Sequence, residues 1–128
     1  MRITQFTDFS LRMLMYLAAN RGRLVSVGEI AEHHGISGPH LRKVAGKLSE
    51  SGHIRAVRGK NGGMALAREP SEINLGALLR AHENLTMLPC FDSAESCRLE
   101  DCKLRGLTAR ALDAFLAVWD ERSLADML

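Results

Sequence analysis

The sequence predicts a mainly α protein: a winged helix-turn-helix with a small β-hairpin wing, followed by a long C-terminal dimerisation helix. Three observations carry this. Two short helical segments, each with a good capping serine, are separated by Gly35-Ile36. A glycine-rich turn joins two runs of strand-like alternation. A helical stretch near the end is apolar over more than one stripe. At 128 residues the chain is long enough to bury a core without disulfides. We divide it into a winged helix-turn-helix DNA-binding region over 1–70 and a cysteine-loop and dimerisation-helix region over 71–128, together one compact domain.

Phe9, Met13, Leu14, Leu17 and Ala18 recur at helical spacing. They place a first helix over about 4–20, with Thr4 as N-cap and Gly22 as the stop. Ser26 and Glu29 have capping-box spacing for a second helix that Gly35 ends. Ser37 caps a third, with Pro39 in its first turn and Gly52 after its end near Glu50. Leu41, Val44 and Leu48 hold that helix from behind. His40, Arg42, Lys43 and Lys47 are left pointing outward, as on a helix that enters a major groove.

Residues 54–58 and 63–67 alternate like strands around Gly59-Lys60-Asn61-Gly62, so they form a hairpin with a basic tip. Leu75, Leu78 and Leu79 mark a fourth helix over about 74–83. Residues 89–101 lack periodicity and contain Pro, Asp and Ser, so they read as a loop. The last long helix spans about 103–120. Leu104, Leu107, Ala111, Leu112, Phe115, Leu116, Val118 and Trp119 give it a surface that needs cover on two sides, one of them from a second subunit. Ser123 caps a short closing turn.

Charge divides the chain. Residues 1–68 hold eleven Lys and Arg against four Asp and Glu, while 69–128 hold six against eleven. A basic front half suits a polyanion, and an acidic rear half should face away from it. DNA contacts are therefore expected from Ser37, His40, Arg42, Lys43 and Lys47, with Arg58 and Lys60 reaching a flanking groove. The bland alternative is a protein-binding module with a solvated charged face. No run of apolar residues is long enough for a membrane span. The first residues lack the layout of an export signal, so the cytoplasm is the expected location. No nucleophile–base pair or carboxylate dyad suggests an enzyme.

Cys90, Cys97 and Cys102 are the chain's three cysteines and lie within thirteen residues. Thiolates bind soft metals and iron–sulfur clusters. Three leave a four-ligand site one short and cannot all pair as disulfides. The spacing lacks the Cys-x2-Cys knuckle of structural zinc sites. An iron–sulfur cluster is one occupant, and zinc with a histidine or bare thiol oxidation are others. His82, eight residues before Cys90, is a candidate ligand. His33 and His34 are expected at a helix C-terminus or in solvent, and His53 in no special role. Asp8 reads as a surface carboxylate near a helix start.

These pieces resemble, over the whole length, the winged-helix iron–sulfur regulators that include IscR, RirA and NsrR. The resemblance rests on residues 1–9 (MRITQFTDF), the wing 57–63 (VRGKNGG), the three-cysteine loop and the ending 123–128 (SLADML). It is nearest to the nitric-oxide-responsive NsrR kind. RirA-like sequences are close over 12–16 but less so at Asp8. The resemblance implies a homodimer on a palindromic DNA operator, with one cluster per subunit, 4Fe–4S in preference to 2Fe–2S. It makes Cys90, Cys97 and Cys102 the ligands, joined by Asp8 of the partner subunit. It further implies a repressor that releases DNA when nitric oxide destroys the cluster. Iron or cluster supply is the rival signal.

Overall fold

Thr4 starts the first helix. In the computed structural model, which describes residues 1–93 and 99–128, its hydroxyl accepts the Thr7 N–H at 3.3 Å and α1 runs Gln5–Ala19. Met13, Leu14, Leu17 and Ala18 share one face and are buried. The helix stops ahead of the expected Gly22. Asn20 turns its amide onto the Tyr16 carbonyl at 2.9 Å and so satisfies one of the terminal acceptors.

Ser26 caps α2 (Val27–His34) by accepting the Glu29 N–H at 3.1 Å, and Gly35 closes it in the left-handed region. Only this half of the expected capping box forms, because the Glu29 carboxylate turns to Arg23 and Tyr16. α3 (Gly38–Glu50) begins at Ser37 and buries Leu41, Val44 and Leu48. Its end is set by Ser51, whose hydroxyl donates to the Lys47 carbonyl at 2.9 Å. Both α2 and α3 pack on α1.

β1 (Ile54–Val57) and β2 (Gly63–Leu66) pair antiparallel, with Ile54 opposite Leu66 and Val57 opposite Gly63. Their turn requires glycine. Gly59 has φ +111°, and a Cβ on Gly62 would overlap the Val57 carbonyl. Val25, just ahead of α2, bridges to Met64 through two backbone hydrogen bonds of 2.9 and 2.8 Å. That bridge ties the wing to the helix-turn-helix, and no local pattern announces it.

A 3-10 turn at Pro70–Glu72 leads to α4 (Leu75–His82), whose cap Asn74 accepts the Ala77 N–H at 2.8 Å. α4 packs on α5 (Lys103–Asp120). They approach so closely at Gly76 that a Cβ there would stand 2.9 Å from Asp120 Cα. Arg80 grips the Asp120 carboxylate with both guanidinium nitrogens, and Asn74 donates to the Asp120 carbonyl at 2.7 Å. The closing 3-10 turn, Leu124–Met127, carries a complete capping box between Ser123 and Asp126. It returns Leu124 to the core, where its N–H donates to the Ile73 carbonyl at 2.9 Å.

The core is continuous. Met13, Leu14, Ile30 and Leu41 from the front half enclose Ile73, Leu78 and Leu124 from the rear. Within the expected cysteine loop, Pro89–Phe91 forms a 3-10 turn, while residues 94–98, Cys97 among them, lie outside the described residues. Among the described residues no helix is long and apolar enough to cross a membrane.

Gly76→Ala is expected to push α4 off the end of α5 and cost about 1–3 kcal/mol in urea unfolding. Gly46→Ala, where a Cβ meets open space inside α3, is expected to stabilise by up to about 1 kcal/mol. Equal effects from the two substitutions would contradict the close approach.

Candidate DNA interface and cysteine segment

Burial of Leu41, Val44 and Leu48 fixes which way α3 faces. His40, Arg42, Lys43 and Lys47 are consequently exposed on the far side, as the periodicity predicts. Ser37, also exposed, spends its hydroxyl on the His40 N–H at 3.4 Å, so its other contacts come from what remains of that group. Arg42 folds back over the first turn of α3, where a Cβ on Gly38 would lie 3.5 Å from its Nη1.

Arg42 also lines a cleft of about 820 Å³ between α3 and the wing, with Gly46 on one wall and Val57, Arg58 and Gly62 on the other. Arg58 and Lys60 are exposed on the hairpin turn. Among the described residues Arg42, Lys43, Arg58 and Lys60 make no ion pair, so their charges are free for an external anion. Lys47 is different: its Nζ lies 3.6 Å from Glu50 Oε2. Both side chains are exposed, so that pair holds Lys47 weakly.

The angle between α1 and α2 is held by a polar clamp that the spacing of the sequence does not reveal. Tyr16 donates its hydroxyl to Glu29 Oε1 at 2.8 Å, and Arg23 donates to Oε2 at 3.0 Å. The Arg23 hydrogen bonds, then that of Tyr16, then the nearby positive charges outweigh burial and lower the Glu29 pKa to about 2. The same hydrogen bond, with burial, raises the Tyr16 phenol. A capping-box reading of Ser26 and Glu29 hides this role.

His33 and His34 lie in the last turn of α2 as expected, His33 exposed and His34 half-buried. Their rings also meet Tyr16, tilted and edge-on, with centroids 4.7 and 5.9 Å away. Burial, then the charges of His33 and Arg12, lower the His34 pKa. His53 pairs its Nδ1 with the Ser51 hydroxyl at 2.8 Å. His82 lies against Phe6, centroids 5.0 Å apart.

Cys90 is buried in the Pro89–Phe91 turn, and Cys102 is the half-buried N-cap residue of α5; both are free thiols. Cys97 falls outside the described residues. No group of three His, Cys, Asp or Glu gathers among the described residues. The donor set nevertheless fits a soft-metal group. Two unpaired thiols bracket one short segment, and sulfur is the donor that soft metals and iron–sulfur clusters take. Asp8, in the first turn of α1, is held by Arg12 Nε at 2.9 and 3.0 Å. It also borders a cleft with Arg2, Ile3 and Trp119.

Comparison with known proteins agrees with this architecture. The family profile described as "Rrf2: Iron-dependent Transcriptional regulator" matches residues 3–128. The HTH-type transcriptional regulator NsrR of Halalkalibacterium halodurans is 41% identical over 132 residues, spanning 100% of this chain and 90% of that protein. Among solved structures, T. potens IscR superposes with a TM-score of 0.81 at 27% identity, covering 99% of this chain and 85% of that one. CymR, the global cysteine regulator of B. subtilis, gives a TM-score of 0.81 at 27% identity, covering 99% and 95%.

The Glu29 clamp sets a pH dependence. Its folded pKa, about 2, lies below the ordinary 4.5. Its contribution is therefore fully present above about 4.5 and lost as pH falls through about 2. The melting-temperature gap between wild type and Glu29→Gln should be widest near about pH 6 and shrink toward about pH 2. A gap that widens with acid would contradict the clamp.

Proposed function

Because the chain belongs to the Rrf2 family of transcriptional regulators, we propose that it is an iron–sulfur-dependent repressor that releases its DNA operator in response to nitric oxide. It is a regulator and not an enzyme. The observation that carries the finer reading is the three-thiol segment directly behind a winged helix-turn-helix, in a chain 41% identical to a protein named NsrR.

Cys90, Cys97 and Cys102 of one subunit would hold the cluster, 4Fe–4S in preference to 2Fe–2S, with Asp8 of the partner subunit as fourth ligand. Held there, the cluster would supply iron open to nitric oxide. Everything else is done by the chain. Arg12 restrains the Asp8 carboxylate in the described geometry, so ligation across the dimer requires Asp8 to share or leave that pair. A ligating Asp8 ties the cysteine segment of one subunit to α1 of the other, and α1 backs the recognition helix α3.

The second copy is supported by α5. Leu104, Leu107 and Val118 are 58%, 64% and 64% exposed, although only cover would make such a surface stable in water. A symmetric dimer presents two α3 helices to half-sites about 34 Å apart, so a small change in their spacing removes most specific binding. Ser37, His40, Arg42, Lys43 and Lys47 would meet bases and phosphates of the palindromic operator. Arg58 and Lys60 would meet the flanking backbone.

Iron supply is a second reading, favoured by the words "iron-dependent" in the matching family's description. Release by chelation alone, with nitric oxide ineffective, would select it.

The test uses a palindromic duplex selected from a randomised pool by the anaerobically prepared dimer. Nitric oxide should bleach the visible absorption and weaken the duplex at fixed salt by at least about tenfold. Bleaching with unchanged affinity would overturn the reading. Separately, Arg58→Ala and Lys60→Ala, each removing one phosphate contact per subunit, should each flatten the plot of log affinity against log salt for the dimer by about 1.8. An unchanged slope would remove the wing from the interface.

A further inference from the structure

The end of α4 belongs to neither the DNA interface nor the thiol set, yet its last side chain, His82, and that of the C-cap Glu83 are committed elsewhere. The Glu83 carboxylate accepts the Thr4 N–H at 2.8 Å and the Thr4 hydroxyl at 2.9 Å, seventy-nine residues away along the chain. Burial by itself would raise the Glu83 pKa. Hydrogen bonds from Thr7 and Thr4 outweigh it, so the carboxyl sits below its usual range and is ionised at neutral pH.

His82 presses its ring against Phe6, and its buried Nε2 has no hydrogen-bond partner among the described residues. Burial first, then the Lys47 charge, hold its pKa below the usual value, so it packs as a neutral ring. Phe6 in turn lines a notch with His40, Lys43 and Val44 of α3. One end of α4 therefore reaches the N-cap of α1 and, through Phe6, the recognition helix.

On its other side α4 continues into a strap that reaches the cysteine segment. Thr86 donates its N–H to Asn84 Oδ1 at 2.9 Å and its hydroxyl to Asp92 Oδ1 at 2.7 Å. Asp92 stands two residues past Cys90. A shift of the Cys90 turn would bear on the Thr86–Asp92 hydrogen bond, and Thr86 lies three residues along the backbone from Glu83.

We propose that Thr86, Glu83 and His82 form the joint through which the state of the cysteine segment reaches α1 and α3. They are positioning residues: none touches DNA or belongs to the thiol set. The proposal rests on the cluster-dependent reading above. Its physical basis is two sets of hydrogen bonds, at Thr86 and at Glu83, and one ring contact at His82, joined by the short backbone stretch between them.

The experiment compares wild type, Thr86→Val, Thr86→Ser and Glu83→Gln as full-length dimers, each cluster-loaded and cluster-free, on the same selected duplex at one salt concentration. Iron, acid-labile sulfide and melting temperature are read for every preparation. Wild type should bind the duplex at least about tenfold tighter when loaded. In Thr86→Val and Glu83→Gln that ratio should fall below about threefold with iron and sulfide retained, and Thr86→Ser, which keeps the hydroxyl, should restore it. A Thr86→Val protein with the wild-type ratio overturns the joint and leaves the cluster reading standing. Loss of iron and sulfide in Thr86→Val also overturns it, since the residue would then serve ligation. A wild-type ratio of about one overturns both proposals.

Discussion

The buried stripe of α1 is the constraint on which the rest of the structure depends. Met13, Leu14, Leu17 and Ala18 are withdrawn from water by elements from both halves of the chain: α2, α3 and β2 in front, α4 and the closing 3-10 turn behind. A helix shared in this way cannot reorient relative to one half without disturbing its packing on the other. Interiors at this density transmit displacement instead of absorbing it. The DNA-reading head and the cysteine-bearing tail are consequently parts of one mechanical body.

Around that shared helix, polar ties fix what packing leaves free. Tyr16, Glu29 and Arg23 set α1 against α2, Val25 and Met64 set the wing, and Asn74, Arg80 and Asp120 lock α4 to the end of α5. Most are exposed and individually weak. Their value lies in geometry: each ends on a backbone carbonyl, a strand partner or a carboxylate gripped from two sides. The basic front and acidic rear then orient the whole body toward a polyanion without any single dominant contact.

The parts legible in the sequence are those written in local spacing. Thr4, Ser26 and Ser37 announce helix starts because a cap bonds three residues ahead. The wing shows in its glycines, and α5 shows in an apolar girth too wide for one subunit to cover. What stayed hidden spans long separations. Tyr16 and Glu29 are thirteen residues apart, and Thr4 and Glu83 seventy-nine, so neither pair leaves a periodic trace. Glu29 even misleads, since its position after Ser26 suggests a reciprocal cap while its charge serves Arg23. For the thiol set the sequence supplies the three residues and the fold supplies places for two, Cys90 in a turn and Cys102 at a helix start.

If α1 is the member shared by head and tail, a change at the thiols must register along it. Amide hydrogen exchange on the anaerobic, cluster-loaded dimer and on the same protein stripped of its cluster measures this directly. The account predicts altered protection in the first turn of α1 and along α3, as well as across residues 89–102. Altered protection confined to 89–102, with α1 and α3 unchanged, would contradict it.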